Sequence, residues 1–73
     1  MIVQAITGND SYLFSGGYDK KVKAWTNLSH ETPTFVGEVD IENCVNGICC
    51  GPDDTTVYVA GSDGYIKRAK FIL

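Results

Sequence analysis

Hydrophobic residues along this chain fall into short runs at positions 3–6, 12–14, 22–25, 34–39, 45–50, 57–60 and 65–69. The runs are rich in Val, Ile, Tyr and Phe, side chains that fit a pleated, half-buried surface. Turn-forming residues separate them: Gly8-Asn9-Asp10-Ser11, Gly16-Gly17-Tyr18-Asp19, Gly51-Pro52-Asp53-Asp54 and Ser62-Asp63-Gly64. No stretch holds a helical period of about 3.6 residues for long enough to predict a helix. Residues 26–33 are polar, with Asn27, Ser29, His30 and Pro33, and read as the longest connection. The pattern predicts an all-β chain.

The runs repeat. Val3-Gln4-Ala5-Ile6 parallels Val45-Asn46-Gly47-Ile48, Leu13-Phe14-Ser15-Gly16-Gly17 parallels Val57-Tyr58-Val59-Ala60-Gly61, and Asp19-Lys20-Lys21-Val22-Lys23 parallels Asp63-Gly64-Tyr65-Ile66-Lys67. The offset is 42 residues at the first pair and 44 at the last, so one turn differs by two residues between the copies. Each unit of about 44 residues holds four strands, the fourth (34–39) present only in the first copy. Val57-Tyr58-Val59-Ala60 and Tyr12-Leu13-Phe14 are apolar throughout instead of alternating, as expected of sheets covered on both faces. Ala5 and Gly47, small residues in the first strand of each unit, suit a crowded place near an axis. Sheets stacked radially meet both demands.

Leu13-Phe14-Ser15-Gly16-Gly17-Tyr18-Asp19-Lys20-Lys21-Val22-Lys23-Ala24-Trp25 resembles the second half of a WD40 repeat, and Val45 to Asp54 resembles that family's first strand and Pro-Asp turn. The resemblance implies two four-stranded antiparallel blades, the second lacking its outer strand. The first spans residues 1–39 and the second 40–73, together part of one β-propeller with an incomplete ring. In the family a turn Asp, a strand Ser or Thr, a Trp and a His from a Gly-His pair form a hydrogen-bonded network in each blade. Carried over, Asp19, Ser15 and Trp25 match in the first unit. In the second only Asp63 matches, with Ala60 and Ala69 standing where Ser and Trp would be. No Gly-His pair occurs near positions 39–41, and Thr26 follows Trp25 where an Asp would stand. Asp19 and Asp63 are expected to accept backbone N–H bonds in tight turns, and Gly16, Gly17, Gly61 and Gly64 to supply the positive φ such turns need.

Composition narrows the function. Nine acidic residues against six basic ones give a net charge of −3, which argues against binding a nucleic-acid backbone. No apolar run reaches the roughly 18 residues of a membrane-spanning helix, and the first six residues lack the basic flank of a signal peptide. Cys44, Cys49 and Cys50 are odd in number and clustered, a poor disulfide framework, which points to a reduced intracellular setting, cytoplasmic or nuclear. With His30 they would be a zinc set only if Cys49 and Cys50 shared a metal, and neighbours on a strand face opposite ways. They read instead as small buried hydrophobes. No nucleophile turn, calcium loop or phosphate cradle is present, so no catalytic residue and no cofactor is expected. What remains is binding. The resemblance places Tyr18, Lys20, Lys21 and Tyr65 in or beside turns at one end of the blades; tyrosines with lysines on a loop face suit contacts with other proteins, and the alternative is ordinary solvent-exposed turn residues. The leading expectation is a protein-interaction scaffold, part of a longer propeller whose remaining blades complete it. The alternative is a self-assembling structural protein whose copies close a homo-oligomeric ring.

Overall fold

The computed structural model describes residues 3–26, 28–29 and 31–73; Met1, Ile2, Asn27 and His30 lie outside the described residues. Every predicted run becomes a strand: β1 (Val3–Gly8), β2 (Leu13–Gly17), β3 (Lys21–Thr26), β4 (Thr34–Asp40), β5 (Val45–Cys50), β6 (Thr56–Gly61) and β7 (Ile66–Lys70). They form two antiparallel meanders, a four-stranded sheet in the order β1-β2-β3-β4 and a three-stranded sheet in the order β5-β6-β7. Among the described residues there is no helix and no closed ring.

The internal repeat is written into the strand pairing. A bulge interrupts β1 between Val3 and Ala5, and another interrupts β5 between Val45 and Gly47, the same place in each copy. Gly8 pairs with Leu13 across residues 9–12, whereas Cys50 pairs with Val57 across residues 51–56. Here lies the two-residue difference between the copies. Asn9 closes the short turn, its Oδ1 accepting from the backbone of Ser11 and Tyr12, both at 2.9 Å. In the longer turn Asp53 Oδ1 accepts from Thr55 N at 3.0 Å, and Gly51 N donates to Thr56 O at 2.8 Å.

The sheets stack face to face, and the core lies between them. Side chains two apart on a strand share a face, so the first sheet turns Ala5, Phe14, Gly16, Val22 and Ala24 inward, while the second offers Val45, Ile48, Val57, Val59 and Ala69. Phe14, Val22, Ala24, Val45, Val57 and Val59 are fully buried, and Ile41, Ala69 and Phe71 complete the cluster. The Phe14 and Phe71 rings meet at 5.3 Å between centroids, tilted by 44°. The sheets press closely together at Gly16, where a Cβ would lie 2.8 Å from Val45 Cγ1 and 3.0 Å from its Cβ. Crowding was expected at Ala5 and Gly47, but a Cβ on Gly47 would meet only Ala60, at 3.8 Å. The reason is that each sheet is covered on one face only, and Gly47 lies on the uncovered one.

The outer faces therefore keep apolar side chains exposed: Val3, Ile6 and Phe35 on the first sheet, Tyr58 and Ile66 on the second. Trp25 and Phe35 meet edge to face at 5.5 Å and shield each other there. Strand β7 is an open edge among the described residues, and Lys67, Arg68 and Lys70 lie along it. Charge on an edge discourages further strand addition.

Candidate functional site

The β2–β3 turn, Gly17-Tyr18-Asp19-Lys20, closes with Lys20 N donating to Gly17 O at 3.4 Å. Asp19 fixes the reversal, its Oδ1 accepting from Lys21 N at 3.3 Å and its Oδ2 lying 3.3 Å from Lys23 Nζ. On the same side of the sheet the Trp25 indole Nε1 donates to Ser15 Oγ at 2.9 Å. This bond satisfies the one polar hydrogen of a large, half-buried side chain. Ser15, Asp19 and Trp25 thus line one cleft of about 230 Å³, together with Val3, Lys21 and Lys23.

The β6–β7 turn, Gly61-Ser62-Asp63-Gly64, repeats the geometry, with Gly64 N donating to Gly61 O at 3.1 Å and Tyr65 N to Asp63 Oδ1 at 3.1 Å. Asp63 Oδ2 accepts from Asn43 Nδ2 at 3.0 Å and lies 3.7 Å from Lys67 Nζ. Sequence reasoning missed Asn43. The resemblance points to a histidine near positions 39–41, whereas the polar partner is an amide just ahead of Val45. Pairing also corrects the residue at the serine position. Ile6 pairs with Ser15 and Ile48 with Val59, so Val59, not Ala60, replaces Ser15, and Ala60 corresponds to Gly16. Ala69 does stand at the place of Trp25, since Leu13 pairs with Trp25 and Val57 with Ala69. With a buried valine and an alanine at these positions, the second blade holds its turn through Asn43 and Lys67.

The turn glycines also differ from expectation. Gly64 has φ +86°, but Gly16, Gly17 and Gly61 do not enter the left-handed region; Lys20 does, at φ 66°. Lys20 occupies in the first turn the position of Gly64 in the second. A left-handed residue with a Cβ costs about 1–2 kcal/mol, and glycine there loses roughly 0.5–1 kcal/mol of chain entropy in exchange. Lys20→Gly is therefore expected to raise stability by about 0.5–1 kcal/mol, read as a higher urea midpoint with an unchanged slope. An unchanged or lower midpoint would show that the lysine carries no strain.

Both turns lie at one end of the stacked sheets. Cys44 joins them, its Sγ 3.9 Å from Tyr18 O and its carbonyl accepting from Ser62 N at 2.9 Å. The β4–β5 connection reaches the same end through Ile41 N, which donates to Lys20 O at 2.8 Å. Tyr18 is 48% exposed and Tyr65 70% exposed. The Tyr18 hydroxyl accepts from Gln4 Nε2 at 2.9 Å, so its ring is held in place. Lys20 is exposed beside them. Lys21 stands apart, at the start of β3. Its ammonium lies 2.9 Å from Glu38 Oε2, and the hydrogen bond to that carboxylate holds its pKa above the ordinary lysine value.

At the opposite end Ser11 Oγ donates to Asp54 Oδ2 at 2.8 Å and Asn9 Nδ2 to Asp54 O at 3.0 Å, tying one sheet to the other. Neighbouring Asp53 is pushed down from 3.8 to about 2 by the Thr56 side chain, the Thr55 backbone N–H and the Lys70 ammonium, in that order. A carboxyl lowered on folding adds stability above its unfolded pKa and loses it as pH falls through the folded one. The contribution of Asp53 is thus expected to vanish between pH 3.8 and about 2. Asp53→Asn should flatten that acid limb in pH-dependent urea unfolding; an unaltered limb would refute the assignment.

The cysteines are free thiols. None is fully buried, contrary to expectation: Cys49 is exposed on the outer face, and Cys44 and Cys50 are half-buried. Cys50 turns inward, its Sγ 3.6 Å from Thr7 Oγ1. His30, the fourth residue of the metal set considered above, lies outside the described residues. Among the described residues no three His, Cys, Asp or Glu side chains are grouped to hold a metal ion.

Compared with known families, residues 3–26 and 31–67 match the model described as WD domain, G-beta repeat. No curated protein matches the chain.

Proposed function

We propose that this chain, which belongs to the WD40-repeat family, is a two-blade interaction scaffold that binds protein partners at its turn end. WD40 repeats generally serve as protein-interaction scaffolds and generally lack enzymatic activity. The observation that carries the reading is the convergence of Tyr18, Lys20 and Tyr65 at one end, fixed by Cys44 and backed by two stacked sheets. Exposed tyrosines on a rigid frame offer large contact area with little side-chain ordering on binding. The net charge of −3 supports a protein partner over a nucleic-acid backbone, and the free thiols support an intracellular setting.

Selection of peptides from a random display library on the immobilised 73-residue chain tests this. Selected peptides are expected to lose about tenfold or more in affinity for the Tyr18→Ala/Tyr65→Ala variant, as central aromatic contacts do. Peptides that bind both forms alike would place the contact surface elsewhere.

A further inference from the structure

The two outer faces of this chain are the two halves of the interface already formed between its sheets. Strand pairing matches Ala5, Thr7, Phe14, Gly16, Val22 and Ala24, the inner face of the first sheet, to Gly47, Cys49, Tyr58, Ala60, Ile66 and Arg68, the outer face of the second. It equally matches Val45, Ile48, Val57, Val59, Lys67 and Ala69, the inner face of the second sheet, to Val3, Ile6, Leu13, Ser15, Lys23 and Trp25, the outer face of the first. One chain thus presents a donor face and an acceptor face of the same kind of joint. Both are open: Ile6 is 62% exposed and Ile66 68%.

We infer that these faces bind a second copy of the chain head to tail, the outer face of the second sheet of one copy on the outer face of the first sheet of the next. The cleft beside Ser15, Lys23 and Trp25 supports this polarity. At the corresponding place on the second sheet the Lys67 ammonium donates to Ile41 O at 3.1 Å, so inside the chain the β4–β5 connection joining the two sheets covers part of a surface of this kind. The joint between copies is weaker than the internal one, for two reasons read from the repeat. Ala60 carries the Cβ that Gly16 lacks, at the place where Gly16 meets Val45, and would press on Val3 of the next copy. Arg68 replaces the fully buried Ala24 and brings a charge to the joint. Association is therefore reversible and concentration-dependent. A heterologous joint of this kind propagates until rotation closes a ring.

The inference uses sheet faces and not the turn end, so it stands or falls separately from the peptide selection. The test is sedimentation velocity over about a hundredfold concentration range, with circular dichroism to confirm that each variant keeps its sheets. Wild-type mass is expected to rise with concentration. Ile6→Asp blocks one face and Ile66→Asp the other, both at exposed positions, so each variant alone is expected to remain monomeric. Their equimolar mixture keeps one intact face of each kind and is expected to form a dimer that grows no further. A monomeric wild type, a single variant that still associates, or a mixture that stays monomeric would each overturn the inference.

Discussion

Phe14→Ala is expected to remove about 3–5 kcal/mol of stability, the usual loss for a buried phenylalanine. At roughly 0.05–0.15 kcal/mol per residue, a chain of this length holds only on the order of 4–11 kcal/mol in all. The substitution therefore removes a large share of it. Phe14 is fully buried between the sheets, 5.3 Å from the ring of Phe71 and 6.2 Å from that of Tyr12. It belongs to β2, while Phe71 follows β7, so the contact joins the second strand to the end of the chain. Losing it loosens both sheets together. Urea unfolding followed by Trp25 fluorescence and by circular dichroism measures the effect, with Phe14→Leu as a milder variant should the alanine form not fold. Coincident transitions shifted to lower urea are expected for both variants. A loss below about 1 kcal/mol for Phe14→Ala would mean that the sheets do not share one core.

The strands were legible because their signal is local. Branched and aromatic runs bounded by Gly, Asn, Asp and Pro need no distant information, and all seven appear where the pattern places them. The repeat was legible for the same reason, down to the two extra residues of the turn at Pro52. What the sequence did not reveal depends on partners far apart in the chain. Gly16 and Gly47 look alike as small strand residues, yet only Gly16 has Val45 pressed against it, because only that face is covered. Asn43 looks like a loop amide until folding brings it to Asp63, twenty residues on. Lys20 gives no sign of a left-handed backbone; only its place opposite Gly64 in the repeat hints at it. Strands that are apolar throughout, such as Val57–Ala60, predict cover on both faces, and the structure covers one. Ile6, Tyr58 and Ile66 therefore stay exposed on the outer faces, where the proposed joint between copies would cover them.

The joint at Gly16 and Val45 makes the sharpest test of how the two sheets are held. A methyl group added at Gly16 would lie 2.8–3.1 Å from three carbons of Val45, inside the distance at which carbons repel. Val45 is branched at Cβ and fully buried, so its χ1 is restricted and its close-packed surroundings leave it little room to turn. Gly16→Ala is therefore expected to cost about 1–3 kcal/mol through overpacking, even though alanine orders the unfolded chain by a few tenths of that. Val45→Ala alone leaves a hole and loses roughly 1.5–3 kcal/mol of burial. Made together, the new methyl of residue 16 enters the space that the valine vacates. The double variant is expected to be more stable than the sum of the two losses predicts, with a coupling of about 0.5–3 kcal/mol. That coupling, measured by a double-mutant cycle in urea, reads the contact between β2 and β5 directly. The same cycle made with Gly47→Ala in place of Gly16→Ala should show none, because Gly47 faces away from the joint and has room for a methyl group. Equal coupling for both glycines would mean that the sheets are not stacked through this face.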